Sequence, residues 1–178
     1  MPRHLLERLA IQVFYIGPLF WFMELLQNQV FRLAQGGTWG WVYPSSPYDW
    51  FCFKSLALWG GSIAVFWLLE VVWFRKRHKP FWQRMLIAGT IGWCGEWTAG
   101  WVSYKIFGVY LQRWNNSSLE FVKVIALPFW WTNFAIFHLL SANLRDRVRQ
   151  GADPGWERGA REVPAPSPLP AVAGQTAL

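Results

Sequence analysis

The sequence has few charged residues: only 15% of its 178 residues are Asp, Glu, Lys or Arg, whereas 53% are hydrophobic. This balance excludes an ordinary water-soluble domain, in which about a quarter of the residues are charged. Crossing a bilayer takes about 20 apolar helical residues, and four such runs lie between residues 9 and 144. We therefore expect an all-α membrane protein with four transmembrane helices in contact with the lipid bilayer.

Motifs of common catalytic and metal sites are also missing. The sequence has no phosphate-binding glycine loop and no HExxH, GxSxG or DxD arrangement, which argues against ATP hydrolysis by this chain. Its two cysteines, Cys52 and Cys94, lie in apolar segments and form no CxxC pattern. They predict neither a zinc site nor a disulfide framework, so no metal is expected and any cofactor is unknown.

The net charge of +7 does not indicate a nucleic-acid partner, because the basic residues lie between the apolar runs rather than on one face of a folded domain. Twelve of the 17 Lys and Arg residues belong to the termini and the middle segment, and five to the opposite side. By the positive-inside rule this asymmetry places both termini in the cytoplasm, and we expect a bacterial inner-membrane protein.

The predicted organisation is two helical hairpins and a tail. Residues 1–74 form the first hairpin, with spans at about 9–34 and 50–74, and a basic cytoplasmic loop follows at 75–80. Residues 81–144 form the second, with spans at about 81–107 and 119–143. The first run lacks a signal-peptide cleavage site and is expected to be retained, and Pro128 is expected to kink or divide the last helix. The Pro- and Ala-rich tail, 145–178, is expected to be disordered.

Polar and aromatic residues at the ends of the spans have simple interpretations. Trp41 and Tyr43, in the loop after the first span, suit a membrane interface. Glu70 lies one turn before the basic run at 75–79 and is expected to pair with it.

An internal repeat connects the two hairpins. Aligning the chain with itself, without gaps, so that residue 17 meets residue 89 gives nine identities over positions 17–68. The aligned pairs are Gly17 with Gly89, Trp21 with Trp93, Glu24 with Glu96, Val30 with Val102, Gly36 with Gly108, Ser45 with Ser117, Ser46 with Ser118, Trp59 with Trp131 and Leu68 with Leu140. The hairpins would then be parallel tandem copies related by an axis along the membrane normal, although two unrelated amphiphilic hairpins could also align this well.

Two glutamates within the predicted spans are the main functional candidates. Glu24 and Glu96 occupy matching positions in the repeat, and each lies on one helical stripe with a tryptophan, Trp21 or Trp93. An ionised carboxylate deep in a bilayer needs a partner, so we expect the pair to bind a proton, a cation or a polar head group. The alternative is that each only fixes helix register through a neighbouring donor.

Further candidates share the same helices. The candidate ligand-binding or ion-binding set also contains Trp21, Trp93, Asn28, Lys54 and His138. Lys54 would snorkel to the surface or reach Glu24, and His138 is more simply a packed histidine. Small residues that would let helices approach closely are Gly17, Gly89, Gly92 and Gly100. Some of the 15 tryptophans could line a cavity for an apolar, cyclic or cationic ligand, although filling gaps between helices and lipid is the simpler interpretation.

One segment resembles a known family. The stretch GTIGWCGEWTAGWVSYKIFGVYLQRW, residues 89–114, followed by an apolar run to about residue 140, resembles the CmpB-like ABC-transporter type IV family of small bacterial membrane proteins. The matching residues are Glu96, Gly100 and Trp114. The family's Trp-Asp-Tyr-like loop motif reads Trp-Asn-Asn here, and the Gly-Gln-like start of the next helix is missing. The resemblance implies a multipass membrane protein with a permease label.

The sequence is compatible with three functions. The first is a transport or transport-associated subunit, acting as a homo-oligomer or with partner membrane subunits because four helices enclose little volume. The second is a membrane enzyme acting on a lipid or isoprenoid, with Glu24 or Glu96 as acid or base. The third is a non-catalytic assembly subunit of a membrane complex.

Overall fold

The structure is a computed structural model that describes the backbone of residues 3–152 and the side chains of residues 5–144. Within these residues it is all-α with four main helices. They are α1 (Arg3–Ala34), α2 (Lys54–Leu68), α3 (Phe81–Phe107) and α4 (Leu127–Ala152). Six π-helical residues, Leu69–Phe74, extend α2, and a 3-10 turn, Val124–Ala126, precedes α4.

Three helical segments in the described part are long and apolar enough to cross a membrane. They are Leu5–Ala34, Lys54–Phe74 and Val124–Leu144. This confirms the prediction of a multipass membrane protein. At 27 residues α3 is long enough as well, but Gln83, Arg84 and Glu96 make it more polar, so its span stays a prediction.

Several helix boundaries differ from those predicted. The first helix begins at Arg3 rather than near residue 9, and α2 begins at Lys54 because residues 50–53 belong to the preceding loop. Residues 119–123 are likewise loop, so Pro128 lies in the first turn of α4, where its missing N–H costs little, and no interior kink arises. The last helix continues to Ala152, and the rest of the tail that was predicted to be disordered lies outside the described residues.

A short antiparallel ladder joins the loops that follow α1 and α3, and no sequence pattern indicated it. Strand β1 (Trp41–Val42) pairs with β2 (Arg113–Trp114), with Trp41 opposite Trp114 and Val42 opposite Arg113. The two indoles pack with ring centroids 4.7 Å apart. The ladder therefore holds the two loops together across one end of the helices.

The core between the helices is mainly aromatic. Phe20, Phe66, Phe134 and Phe137 are fully buried, and Trp59 of α2 stacks on Trp130 of α4 with centroids 5.3 Å apart. Aromatic pairs at such distances contribute about 0.5–1.5 kcal/mol beyond the area that they bury. This stack joins the two predicted hairpins at the centre of the bundle.

Three of the four glycines proposed for helix packing lie at close approaches, and Gly17 is in ordinary van der Waals contact. A Cβ on Gly17 would lie 3.6 Å from the Cα of Gly60. A Cβ on Gly89 would lie 2.8 Å from the Cα of Trp131, one on Gly92 would meet the Trp130 ring, and one on Gly100 would lie 2.7 Å from the Cβ of Phe121. The first and third helices thus contact their following segments through glycine.

A matched pair of substitutions tests this packing. Gly89→Ala is expected to destabilise the protein by about 1–3 kcal/mol, because the methyl group meets the backbone of α4 and the helices must separate. Gly95→Ala is the control, since no atom lies within 4 Å of a Cβ there, and alanine in a helix is expected to be neutral or slightly stabilising. Reversible unfolding of the detergent-solubilised protein measures both, and equal stabilities would contradict the packing.

A buried ion pair lies at the other end of the bundle from the ladder. Glu70, in the π-helical turn, is 3% exposed and accepts a hydrogen bond from Nη1 of Arg84 at 2.7 Å. Nδ1 of His138 lies 3.7 Å from the same oxygen. The expected pairing of Glu70 with the basic run at 75–79 was therefore wrong, because the carboxylate faces inward to α3 and α4 rather than along its own helix.

Candidate functional site

A cavity of about 320 Å³ lies between the helices beneath the ladder, and both candidate glutamates line it. Its walls come from all four helices and from the loop residues of the ladder. The tryptophans that line it are Trp41, Trp59, Trp114 and Trp130, and its polar lining includes Gln27, Ser55, Gln112 and Asn133. The cavity is thus an aromatic chamber that contains two carboxylates.

Glu24 is held by two donors, one for each oxygen. The Tyr43 hydroxyl donates to Oε1 at 2.6 Å, and the Trp59 indole donates to Oε2 at 2.9 Å. Trp41 in turn donates to the Tyr43 oxygen at 2.8 Å. Burial, followed by the neighbouring Glu24 carboxylate, raises the pKa of the Tyr43 hydroxyl well above its usual range, so it stays protonated and donates.

Glu96 is held in the same way. The Trp114 indole donates to Oε1 at 2.8 Å, and the Trp130 indole donates to Oε2 at 2.6 Å. Gln112 donates to Oε1 as a third partner. Each carboxylate therefore has one donor from the loop that follows its own helix and one from the helix after that loop.

Each donor to Glu24 has a counterpart among the donors to Glu96. The two members of each such pair are one residue closer in the sequence than Glu24 and Glu96 are. Tyr43 corresponds to Trp114, and Trp59 corresponds to Trp130 rather than to Trp131. The loops follow the donors' spacing as well. The hydroxyl of Ser46 donates to the backbone oxygen of Phe51, and that of Ser117 donates to the backbone oxygen of Val122. The contacts of the two loops therefore match with one residue less between them than the ungapped alignment of positions 17–68 has.

No basic side chain balances the two carboxylates among residues 5–144. Arg84 and His138 stand beside Glu70, and the partners of Glu24 and Glu96 are neutral hydroxyl, indole and amide groups. A neutral donor stabilises a carboxylate by a hydrogen bond but leaves the negative charge of the carboxylate in place. The cavity therefore favours a proton or a cation.

Three other candidates have structural contacts instead. Asn28 is 1% exposed and bonds the backbone of Gly40 and Trp41, so it fixes the first loop rather than facing the cavity. The indoles of Trp21 and Trp93 each donate to a backbone oxygen, that of Cys52 and that of Lys123, both at 3.0 Å. None of the three lines the cavity, because a loop that folds back onto its helix also uses buried polar groups, and their role as ligand contacts stays a prediction.

The two charged candidates lie away from the cavity. Lys54 is exposed at the start of α2, and Glu24 already has two other partners, so no pair between them forms, while snorkelling stays a prediction. His138 stands beside Glu70 near the opposite end. No group of three potential metal-ligating side chains occurs in the part of the chain that the structure describes.

Three residues that surround the glutamates were not predicted from the sequence to belong to the site. Trp41 and Tyr43 were predicted to be interfacial aromatics, and Gln112 was assigned no role. Trp114 was singled out only through the family resemblance. The signal that could have found them is the common spacing of the pairs Tyr43 with Trp114 and Trp59 with Trp130, which a loop shortened by one residue produces.

No protein-family model matches this chain, and no curated protein or solved structure is significantly similar to it.

Proposed function

We propose that this chain is a small permease-like membrane protein that binds an organic cation between Glu24 and Glu96. One observation carries the proposal: two carboxylates line one aromatic cavity, and neither contacts a basic side chain among residues 5–144. A charge in a low-dielectric site is costly without a partner. A bound cation supplies that partner.

The proposed arrangement in the membrane has four spans with both termini in the cytoplasm, so that the ladder end faces outward. Two tandem copies of one hairpin make up the bundle. The matched contacts of Glu24 and Glu96 support this repeat, as does the left-handed backbone of Gly36 and Gly108 after their helices, each with φ of 66°. The third helix completes the cavity, which supports its place in the membrane beside the three apolar helices.

The cavity favours an organic ammonium ion over a bare metal ion. Its volume of about 320 Å³ is that of a ligand with several carbon atoms, and most of its lining is indole, phenyl and aliphatic. An ammonium over an indole face gains about 0.5–2 kcal/mol from the cation–π interaction, in addition to its attraction to the carboxylates. Four indoles line the cavity together with the two carboxylates.

The proposed transport role is supported by the family resemblance. The resemblance of residues 89–114 to the CmpB-like family adds a permease label, and Glu96 and Trp114, two of its matching residues, are in hydrogen-bond contact. A single chain of this size encloses one small chamber, so we propose that it works as a homo-oligomer or with partner membrane subunits.

Binding of dodecylammonium to the purified protein in lipid nanodiscs tests the proposal. We expect saturable quenching of tryptophan fluorescence, because Trp41, Trp59, Trp114 and Trp130 line the cavity. Uncharged dodecanol, which has the same chain, should produce no saturable change. Equal responses to the two compounds, or none, would contradict a cation site.

A second measurement separates the three functions. In proteoliposomes, a permease moves the amine down an imposed gradient, whereas an enzyme converts a bound lipid-like substrate to a product that mass spectrometry detects. An assembly subunit does neither and co-purifies with partner chains.

A further inference from the structure

The two lateral sides of the cavity are built differently. Between α1 and α4 the cavity is closed, because Gln27 donates a hydrogen bond to the Asn133 side chain at 3.0 Å. Phe129 and Phe31 pack beside this bond with ring centroids 5.1 Å apart. Of these four lining residues Phe31 and Asn133 are buried and Gln27 and Phe129 are half-buried, so side chains in contact close this side.

The corresponding side between α2 and α3 lacks this closure. Ala99 takes the place of Gln27, because the two are as far apart in the sequence as Glu96 and Glu24. Ser62 takes the place of Asn133, because the two are as far apart as the donors Trp59 and Trp130. The side chains of Ala99 and Ser62 are too short to meet. Gly61 and Gly95 border the same gap, with no atom within 4 Å of a Cβ built on either. Three further lining residues are exposed there, namely Leu58 at 37%, Val65 at 42% and Ile91 at 38%.

The opening lies beside the two glutamates, which are far from the ends of their helices. Glu24 lies ten residues before the end of α1, and Glu96 eleven before the end of α3, which is about 15 Å along each helix. An opening between two spans at that depth faces hydrocarbon rather than water. A lipid chain can occupy it, whereas an exposed charge there is costly.

We propose that the opening between α2 and α3 holds the hydrocarbon chain of a single-chain amphiphilic amine, while its ammonium lies at the glutamates. This inference rests on the proposed function and names its ligand class. The ammonium stays among carboxylates and indoles, and the chain stays in the bilayer. The apolar rim of Leu58, Val65 and Ile91 matches a chain and offers no polar contact.

A variant that copies the Gln27–Asn133 pair into the gap between α2 and α3 tests this inference. The double variant Ser62→Asn, Ala99→Gln places the Asn133 and Gln27 side chains at the corresponding positions, where their hydrogen bond would close the gap. We expect its affinity for dodecylammonium, measured per mole of amine in the nanodisc, to fall about tenfold or more. Its affinity for propylammonium, whose chain ends inside the cavity, should stay within about threefold.

The controls separate the possible failures. If neither amine binds the unmodified protein saturably, the proposed function fails; if both bind and the double variant keeps its preference for the long chain, only the opening fails. Should the double variant not fold, Ile91→Trp narrows the same gap. Its control is Leu19→Trp, which changes the exposed residue that corresponds to Ile91 in the first hairpin and should leave both affinities unchanged.

Discussion

Replacing both Glu24 and Glu96 with Gln is expected to lower the affinity for dodecylammonium at least about a hundredfold. A hydrogen bond to a charged group contributes about 1.5–3 kcal/mol, so each single variant should lose about tenfold to a hundredfold. The side chains keep their shape, and the loss reports charge rather than packing. Equal affinities of the double variant and the unmodified protein would contradict a cation site at these residues.

The two single variants should differ in stability, which provides an internal control. At Glu24 the Tyr43 hydroxyl, which already accepts from the Trp41 indole, can turn its proton away and also accept from the new amide, so Glu24→Gln should lose less stability than Glu96→Gln. At Glu96 the indoles of Trp114 and Trp130 only donate, and one of them will face an amide N–H. Glu96→Gln should therefore lose about 1–3 kcal/mol of stability.

Removing Arg84 is expected to produce the largest loss of stability. Arg84→Met leaves Glu70, which is 3% exposed, without the guanidinium that donates to it at 2.7 Å. An uncompensated buried charge costs about 3–5 kcal/mol. His138 at 3.7 Å offers only a weak substitute.

The double variant Glu70→Gln, Arg84→Met should recover much of this loss, because it removes both charges together. Lys76→Met is the control, since Lys76 is exposed in the neighbouring basic segment and should change the free energy of unfolding by less than about 0.5 kcal/mol. Unfolding of the solubilised variants measures the differences, and a stable Arg84→Met protein would contradict a structural ion pair.

Hydrophobic runs were sufficient to predict the helices, because a segment that must satisfy its backbone within lipid has few alternatives to a helix. The bounds of α3, 81–107, follow from Pro80 before it and Gly108 after it, which start and stop the helix. The sequence likewise singled out Glu24 and Glu96, and both line one cavity, while their function stays a prediction.

The loops could not be predicted in the same way. Residues 39–53 fold back onto α1 through contacts such as Asn28 with Trp41, and residues 109–122 join that first loop through contacts such as Asn115 with Gly40. These contacts depend on tertiary position and leave no periodic pattern. The same limit applies to Glu70, where six π-helical residues turn the carboxylate toward Arg84 and away from the nearby basic run.

Native mass spectrometry with dodecylammonium and dodecanol at equal concentrations tests the central claim most directly. The cavity predicts one amine adduct per chain, no dodecanol adduct, and loss of the amine adduct in the Glu24→Gln, Glu96→Gln variant. Equal uptake of both compounds, or an amine adduct that persists in the double variant, would show that the two glutamates do not form a cation site.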